Sequence, residues 1–391
     1  MKKWTSRPLF LLVAVLLAVS FLYCLSEASS MDDCAVVDPA MAKTVSGKGI
    51  DKDQLKVGVL YISDPAEGAG YTYTHDIGIQ EMQRNLGLKD EQILRKKNVA
   101  DSDVPEIEKA VQDCIASGCQ IIFATSFGYM DTIERLAEQY PQVYFLHATG
   151  YKSNQKNFNN YFGRIYQPRY LSGIAAGLKT KSGKIGYVAA MDQKNAEVTG
   201  GIDAFAMGVY SVNPAAKVYV KVTDSWFSPP KEKAAVEELL GLGCDVMSQH
   251  CDTAFPLELA EKKGVWGVGY NSDMRRQTPK AALVSVIWNW GAYYTDVTQK
   301  IMDGEWDHSN YYGGMNEGIV GLTELSDENS AEAKEKVAEA EKRMLNGDLK
   351  VFTGVIETND GTTVGKAGQD FSDAEITGGI HWYFKTVECL P

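Results

Sequence analysis

Lys56-Val57-Gly58-Val59-Leu60-Tyr61-Ile62 is a short apolar run of strand type, and the chain writes it a second time as Lys184-Ile185-Gly186-Tyr187-Val188-Ala189-Ala190, 128 residues later. Two further pairs follow the same rule. Gly118-Cys119-Gln120-Ile121-Ile122-Phe123 returns as Gly243-Cys244-Asp245-Val246-Met247-Ser248 at an offset of 125. Val143-Tyr144-Phe145-Leu146-His147 returns as Val265-Trp266-Gly267-Val268-Gly269-Tyr270 at an offset of 122. A nearly constant offset is the mark of two similar halves. Between the runs lie helix-period stretches. In Glu106 to Ala116 the apolar positions Ile107, Ala110, Val111 and Cys114 share one face. Its counterpart, Lys231 to Leu240, is opened by Ser228-Pro229-Pro230 and closed by glycine. Continuous apolar strands alternating with helices predict parallel sheets buried on both faces. The expected fold is therefore α/β, with two doubly wound Rossmann-like lobes joined by a hinge. The expected division is 53–161 plus 283–313 for the first lobe and 162–282 plus 314–391 for the second, with crossings near Asn160, Leu283 and Gly313.

The start of the chain speaks for its compartment. Lys2, Lys3 and Arg7 precede an apolar run from Leu9 to Leu25, and small residues follow at Ala28-Ser29-Ser30. That order is a secretory signal over residues 1–30. A polar surface leader is expected over 31–52. Cys24 stands at the end of the apolar run, as in a lipid-anchored protein, but the bulky Tyr23 precedes it, so cleavage near Ala28 or Ser30 is equally compatible. The expected location is outside the cytoplasmic membrane, in the periplasm or anchored at the membrane's outer face. The net charge is −12. Such a surface repels phosphate backbones, so no nucleic-acid partner is expected. The seven cysteines allow either free thiols or a disulfide in that compartment.

In doubly wound sheets, ligands sit beyond the carboxyl ends of the strands. Those ends lead into Ser63 to His75, Thr125-Ser126-Phe127 and His147 in the first half. In the second they lead into Met191 to Thr199, Asp224-Ser225-Trp226-Phe227, His250-Cys251-Asp252-Thr253 and Asn271-Ser272-Asp273. Tyr71 with Thr72, and Trp226, offer rings for stacking or for core packing. Ser126, His147, His250, Asp252, Asn271 and Asp273 offer hydrogen bonds, although turns also favour Asp and Asn. Trp288-Asn289-Trp290 follows a strand at Ala282 to Ile287, with one of the two rings expected in the core. No metal and no cofactor is expected: His250 has only Cys251 and Asp252 beside it, too few ligands. No Gly-x-Ser-x-Gly elbow occurs, and Gly361 to Ala367 is one residue short of a phosphate loop. No enzymatic activity is expected.

The assembled strand-end motifs resemble the basic membrane protein (BMP) family of ABC-importer substrate-binding proteins, the group that includes purine nucleoside receptors. The segments that carry the resemblance are Gly70-Tyr71-Thr72-Tyr73-Thr74-His75, Tyr161-Phe162-Gly163-Arg164-Ile165-Tyr166, Ser225-Trp226-Phe227 with Pro229-Pro230-Lys231-Glu232, Gly269-Tyr270-Asn271-Ser272-Asp273-Met274 and Trp288-Asn289-Trp290-Gly291 with Tyr293-Tyr294. The likeness implies a type I periplasmic binding fold, a purine nucleobase or nucleoside as ligand, a membrane permease as partner and a monomeric receptor. It places the base between Tyr71 and Trp226. Family members that bind nucleosides carry a lysine for the ribose at the position of Trp288. That departure favours a free nucleobase, adenine above all, over a nucleoside. The alternatives are a nucleoside receptor, a secreted ligand sensor and a secreted nucleoside hydrolase.

Overall fold

The computed structural model describes residues 49–391. The signal read at 1–30, Cys24 and most of the leader read at 31–52 lie outside the described residues. In chain order the elements are β1 (Val57–Leu60), α1 (Tyr71–Leu86), β2 (Ile93–Lys96), α2 (Val104–Ala116), β3 (Ile121–Ala124), α3 (Met130–Gln139), β4 (Tyr144–Ala148) and β5 (Phe158–Gly163). There follow α4 (Tyr166–Lys179), β6 (Lys184–Ala189), α5 (Ala196–Val212), β7 (Lys217–Val222), α6 (Pro229–Gly241), β8 (Val246–His250), α7 (Phe255–Lys262), β9 (Trp266–Asn271) and β10 (Ala282–Trp288). The chain ends with α8 (Trp290–Asp303), β11 (Tyr311–Gly313), β12 (Val320–Leu322), α9 (Ala331–Leu345), β13 (Thr353–Glu357), β14 (Thr363–Asp370), α10 (Asp373–Gly379) and β15 (Val387–Cys389).

Two sheets carry the repeat. One runs β11-β5-β4-β3-β1-β2 and the other β12-β10-β9-β8-β6-β7-β15. The inner order β4-β3-β1-β2 of the first is the order β9-β8-β6-β7 of the second, which is the duplication seen in the sequence. Every pairing in the first sheet is parallel, and in the second only β10 with β12 is antiparallel. All four residues of β1 and of β3 are buried, as strands covered by helices on both faces require.

The chain crosses between the sheets after β5, after β10 and after β11. The second crossing corrects the expected boundary. Residues 283–288 do not join the first lobe, because β10 pairs with β9 through Ile287 and with β12 through Trp288. The chain leaves the second sheet at Trp288, and α8 then packs on α1 of the first lobe. The Glu-, Lys- and Ala-rich run from Ser330 to Leu345 forms α9, capped by Ser330, and is not a wholly exposed helix. Ala333, Val337, Ala340 and Met344 are buried, and they belong to the core of the second lobe.

That core depends on a close approach of α4 and α5. A Cβ on Gly208 would stand 1.9 Å from the carbonyl oxygen of Tyr170, so the two backbones touch where no side chain fits. Gly208→Ala must therefore push the helices apart. It should cost about 1–3 kcal/mol, the usual range for overpacking, read as a lower urea midpoint at unchanged slope. A wild-type midpoint would show that the helices separate freely.

Candidate functional site

The loops that follow β1, β3, β6 and β8 face one another across a cavity of ≈ 950 Å³. They flank the point where strand order reverses in each sheet, the place that favours ligands in doubly wound folds. The first lobe contributes Tyr71 and Ser126, and the second contributes Glu197, Trp226, Asp252 and Tyr270.

Tyr71 is the first residue of α1, with Gly70 as its N-cap. Its ring is fixed edge-on against His75, 4.3 Å between centroids, and against Trp290 at 6.1 Å. Trp226 sits on the loop between β7 and α6. That loop is pinned at both sides, because Ser225 donates its N–H to the Ala190 carbonyl at 2.9 Å and Asp252 donates its N–H to the Trp226 carbonyl at 2.8 Å. Behind it Glu232 is fully buried. It accepts from the Ser228 N–H at 2.8 Å and from the Thr253 hydroxyl, which explains why Glu232 accompanies Trp226 in the motif. Trp226 itself stays only half-buried, so it forms a wall and not a core plug.

Asp252 is held by Asn271, whose Nδ2 donates to Asp252 Oδ1 at 3.0 Å. Asn271 takes φ 70, a left-handed conformation that non-glycine residues rarely adopt outside tight or functional turns. Burial pushes the Asp252 carboxyl up to about 7, against the pull of Asn271 and of the Tyr71 backbone N–H. Glu197 lies in the first turn of α5, and burial likewise pushes it up to about 7, with the Asp252 charge adding to the rise. The Tyr270 hydroxyl donates to Glu197 Oε1 at 3.3 Å and accepts from Trp288 Nε1 at 3.2 Å.

The remaining expected residues fall behind or beside the cavity. His147 is buried, with Nε2 2.7 Å from the Ser126 carbonyl, and burial lowers it to about 4. It supports the Ser126 turn. His250 is buried between Tyr187 and Glu197, at 3.3 and 3.4 Å, and burial holds it well below its ordinary value. Thr72 is tied to Ser63, which donates to Thr72 Oγ1 at 3.0 Å. Asn271 acts through Asp252. Asp273 caps a short 3-10 turn at Met274–Arg276 and chelates Arg275, so its carboxylate is spent locally and it does not line the cavity. Trp288 is also removed from the wall. It is stacked on Trp290 at 4.4 Å and packed against Phe162 at 4.9 Å, and it reaches the site through two residues that do line it, Phe162 and Tyr270.

Other wall residues were not singled out from the sequence, although Phe127 stands in an expected strand-end segment. Phe127 (55% exposed) and Tyr151 (69% exposed) form a tilted pair at the mouth. Asp373, Ile376 and His381 come from the C-terminal segment. This segment is clamped by Arg164, whose Nε and Nη2 donate to the two carboxylate oxygens of Asp373 at 3.1 and 2.6 Å. Among the described residues no cluster of three or more His, Cys, Asp and Glu side chains is arranged to hold a metal. The described cysteines, Cys114, Cys119, Cys244, Cys251 and Cys389, are thiols, and no described helix is long and apolar enough to cross a membrane.

Two parallel-sheet lobes enclosing a polar and aromatic cleft at their strand ends are the architecture of the type I periplasmic binding fold. The solute-binding protein of an ABC transporter system from Aeropyrum pernix has this fold, with a TM-score of 0.65 at 16% identity over 76% of this chain and 92% of its own. Residues 55–353 match the family described as ABC transporter substrate-binding protein PnrA-like (Bmp), and the chain belongs to that family. A purine-binding protein of Brucella abortus is 36% identical, covering 88% of this chain and 96% of its own length. A putative ABC transporter glucose-binding protein of Haloferax volcanii is 35% identical over 75% of this chain and 73% of its own. These are families of substrate-binding proteins and not of enzymes.

Replacing Trp226 by alanine removes a half-buried wall residue that also packs against the edge of the second lobe's core and on His250. We expect ligand affinity to fall by about 1–3 kcal/mol, as for other ring stacks, in a protein that circular dichroism shows to be folded. Wild-type affinity in calorimetry would place the ligand elsewhere.

Proposed function

We propose that this protein is the extracytoplasmic receptor of an ABC importer and that it captures a purine between its two lobes, a free nucleobase such as adenine in preference to a nucleoside. The observation that carries the reading is the pairing of one ring from each lobe, Tyr71 and Trp226, with carboxylates at the same cavity. A flat heterocycle offers two faces to the rings and N–H groups to the carboxylates, and charge-assisted hydrogen bonds are the stronger kind. The Brucella relative, named for purine binding, supports the ligand class. The preference for the base rests on the walls: among the described residues no lysine reaches toward Tyr270 or Asp252, while Phe162 lines that side with a ring that Trp288 backs. A ribose would meet aromatic surface there instead of a charged donor.

Competition between adenine, adenosine and glucose at the purified protein tests this. Adenine should bind at least about tenfold more tightly than adenosine, or ~1.4 kcal/mol, and glucose should not compete. Equal or better binding of adenosine would overturn the nucleobase preference and leave the purine receptor standing. Glucose binding with no purine binding would overturn both.

The same reading makes the contact between lobes a closure contact. Ser272 Oγ donates to the Ala69 carbonyl at 2.8 Å. A Cβ on Gly70 would lie 2.0 Å from the Asp252 carbonyl oxygen, a main-chain atom that cannot turn aside. Gly70→Ala should hold the lobes apart. Small-angle scattering of the variant should show no contraction on adding adenine, while the wild type contracts. An equal contraction would show that this contact does not gate closure.

A further inference from the structure

Glu197 and Asp252 both open into the cleft, and among the described residues no lysine or arginine touches either; the one histidine in reach is His250, with Nε2 3.4 Å from Glu197 Oε1. Lys194 lines the same cavity, but its ammonium is exposed and turned to Asp192 at 3.5 Å. Arg169 is buried behind Tyr270, its guanidinium 4.1 Å from that ring's centre, and it donates to the Gln249 carbonyl. The side chain of Glu197 is 22% exposed, with the cleft in front of it. Resting on the purine reading above, we propose that Glu197 and Asp252 act as a pair that shares one proton and so presents the ligand with one hydrogen-bond donor and one acceptor. Glu197 is then a second residue that reads the ligand, and the ligand class is a neutral ring bearing an N–H donor and a ring-nitrogen acceptor, with anionic solutes excluded.

The argument is electrostatic. Two carboxylates facing one desolvated space cannot both ionise cheaply, and one of them keeps its proton. The groups around Glu197 do not relieve it. His250 approaches from β8, but burial keeps its ring neutral. Tyr270 from β9 donates one hydrogen bond, and Arg169 from α4 acts only at a distance. Around Asp252, the Asn271 amide and the Tyr71 N–H favour the charge, while buried Glu232 opposes it. Asp252 therefore has the better-supported anion and Glu197 holds the proton. An exocyclic amino group can donate to Asp252 while a ring nitrogen accepts from Glu197. A mismatched ligand leaves a buried carboxyl without a partner, and that is costly.

The sign of the pH dependence follows. At low pH both carboxyls are protonated and the anionic acceptor is lost. At high pH both are ionised and the donor is lost. Adenine stays neutral in between, so the limbs belong to the protein. Affinity for adenine should peak near neutrality and fall about tenfold toward pH ~5 and again toward pH ~9, one unit of coupling on each side. Calorimetry in two buffers of different ionisation enthalpy should show proton release on binding at the acid limb and uptake at the alkaline limb. Glu197→Gln, with its permanent N–H donor, should lose the alkaline fall and keep the acid one. A wild-type profile that is flat across this range while adenine binds overturns the shared proton and leaves the purine reading intact. Failure of any purine to bind at any pH overturns both. The wild-type profile alone decides should the variant fail to fold.

Discussion

One contact governs the rest of the site: the main chain of Asp252, at the end of a strand in one lobe, lies directly on Gly70, at the start of a helix in the other. This brings the Asp252 carboxylate to the N-terminus of α1, where unpaired N–H groups favour negative charge. It also sets Tyr71, the next residue, at the cavity. The Trp226 loop depends on the same residue, since Asp252 donates its N–H to the Trp226 carbonyl. Both rings and one carboxylate are thus positioned by a single stretch of backbone. Any residue but glycine at position 70 would move all three.

Around this contact the support is aromatic and rigid. Trp290 stacks on Trp288 with planes 6° apart, and it also packs His75 at 4.2 Å. Trp288 holds the Tyr270 hydroxyl, and Tyr270 holds Glu197. The crossing after β10 therefore ties the cleft wall to the hinge through side chains with few rotamers. The C-terminal segment closes another side. The family match ends at residue 353, yet Asp373, Ile376 and His381 line the cavity beyond it. Arg164, on the crossing after β5, fixes that segment through Asp373. His381 fixes it again, with Nδ1 2.7 Å from the Gln193 carbonyl.

The repeat made the fold legible, because apolar runs at a constant offset can only be two copies of one sheet. Strand ends then pointed to Tyr71, Ser126, Trp226 and Asp252, all of which reach the cavity. What failed was side-chain direction. Asp273 and Asp252 look alike as acids after a strand, but Arg275 two residues on captures the first. Trp288 ends β10 and Trp290 opens α8, and period alone does not tell which ring faces solvent, core or cleft. Glu197 was inside an anticipated strand-end loop, yet a glutamate in the first turn of a helix reads as ordinary favourable charge. Only its place in the cleft beside His250, Tyr270 and Asp252 makes it a desolvated acid. Asp373 and His381 lie outside the repeat, so no offset led to them. The boundary at Leu283 failed for a related reason: an apolar strand can join either sheet, and pairing partners decide.

Burying two acids in an empty cleft is a local cost, and a receptor can use it. A ligand shifts an equilibrium between open and closed lobes only by its difference in affinity for the two. Open, each carboxylate is hydrated and gains little from a hydrogen bond to a base. Closed, water is excluded, and an unmatched carboxylate is unfavourable until a donor arrives. The polar reading of the ligand therefore belongs almost entirely to the closed state, whereas stacking on Tyr71 or Trp226 alone is available to either lobe before closure. On the reading proposed above, the rings collect flat solutes without much discrimination, and the acids let the lobes stay shut only over the right one.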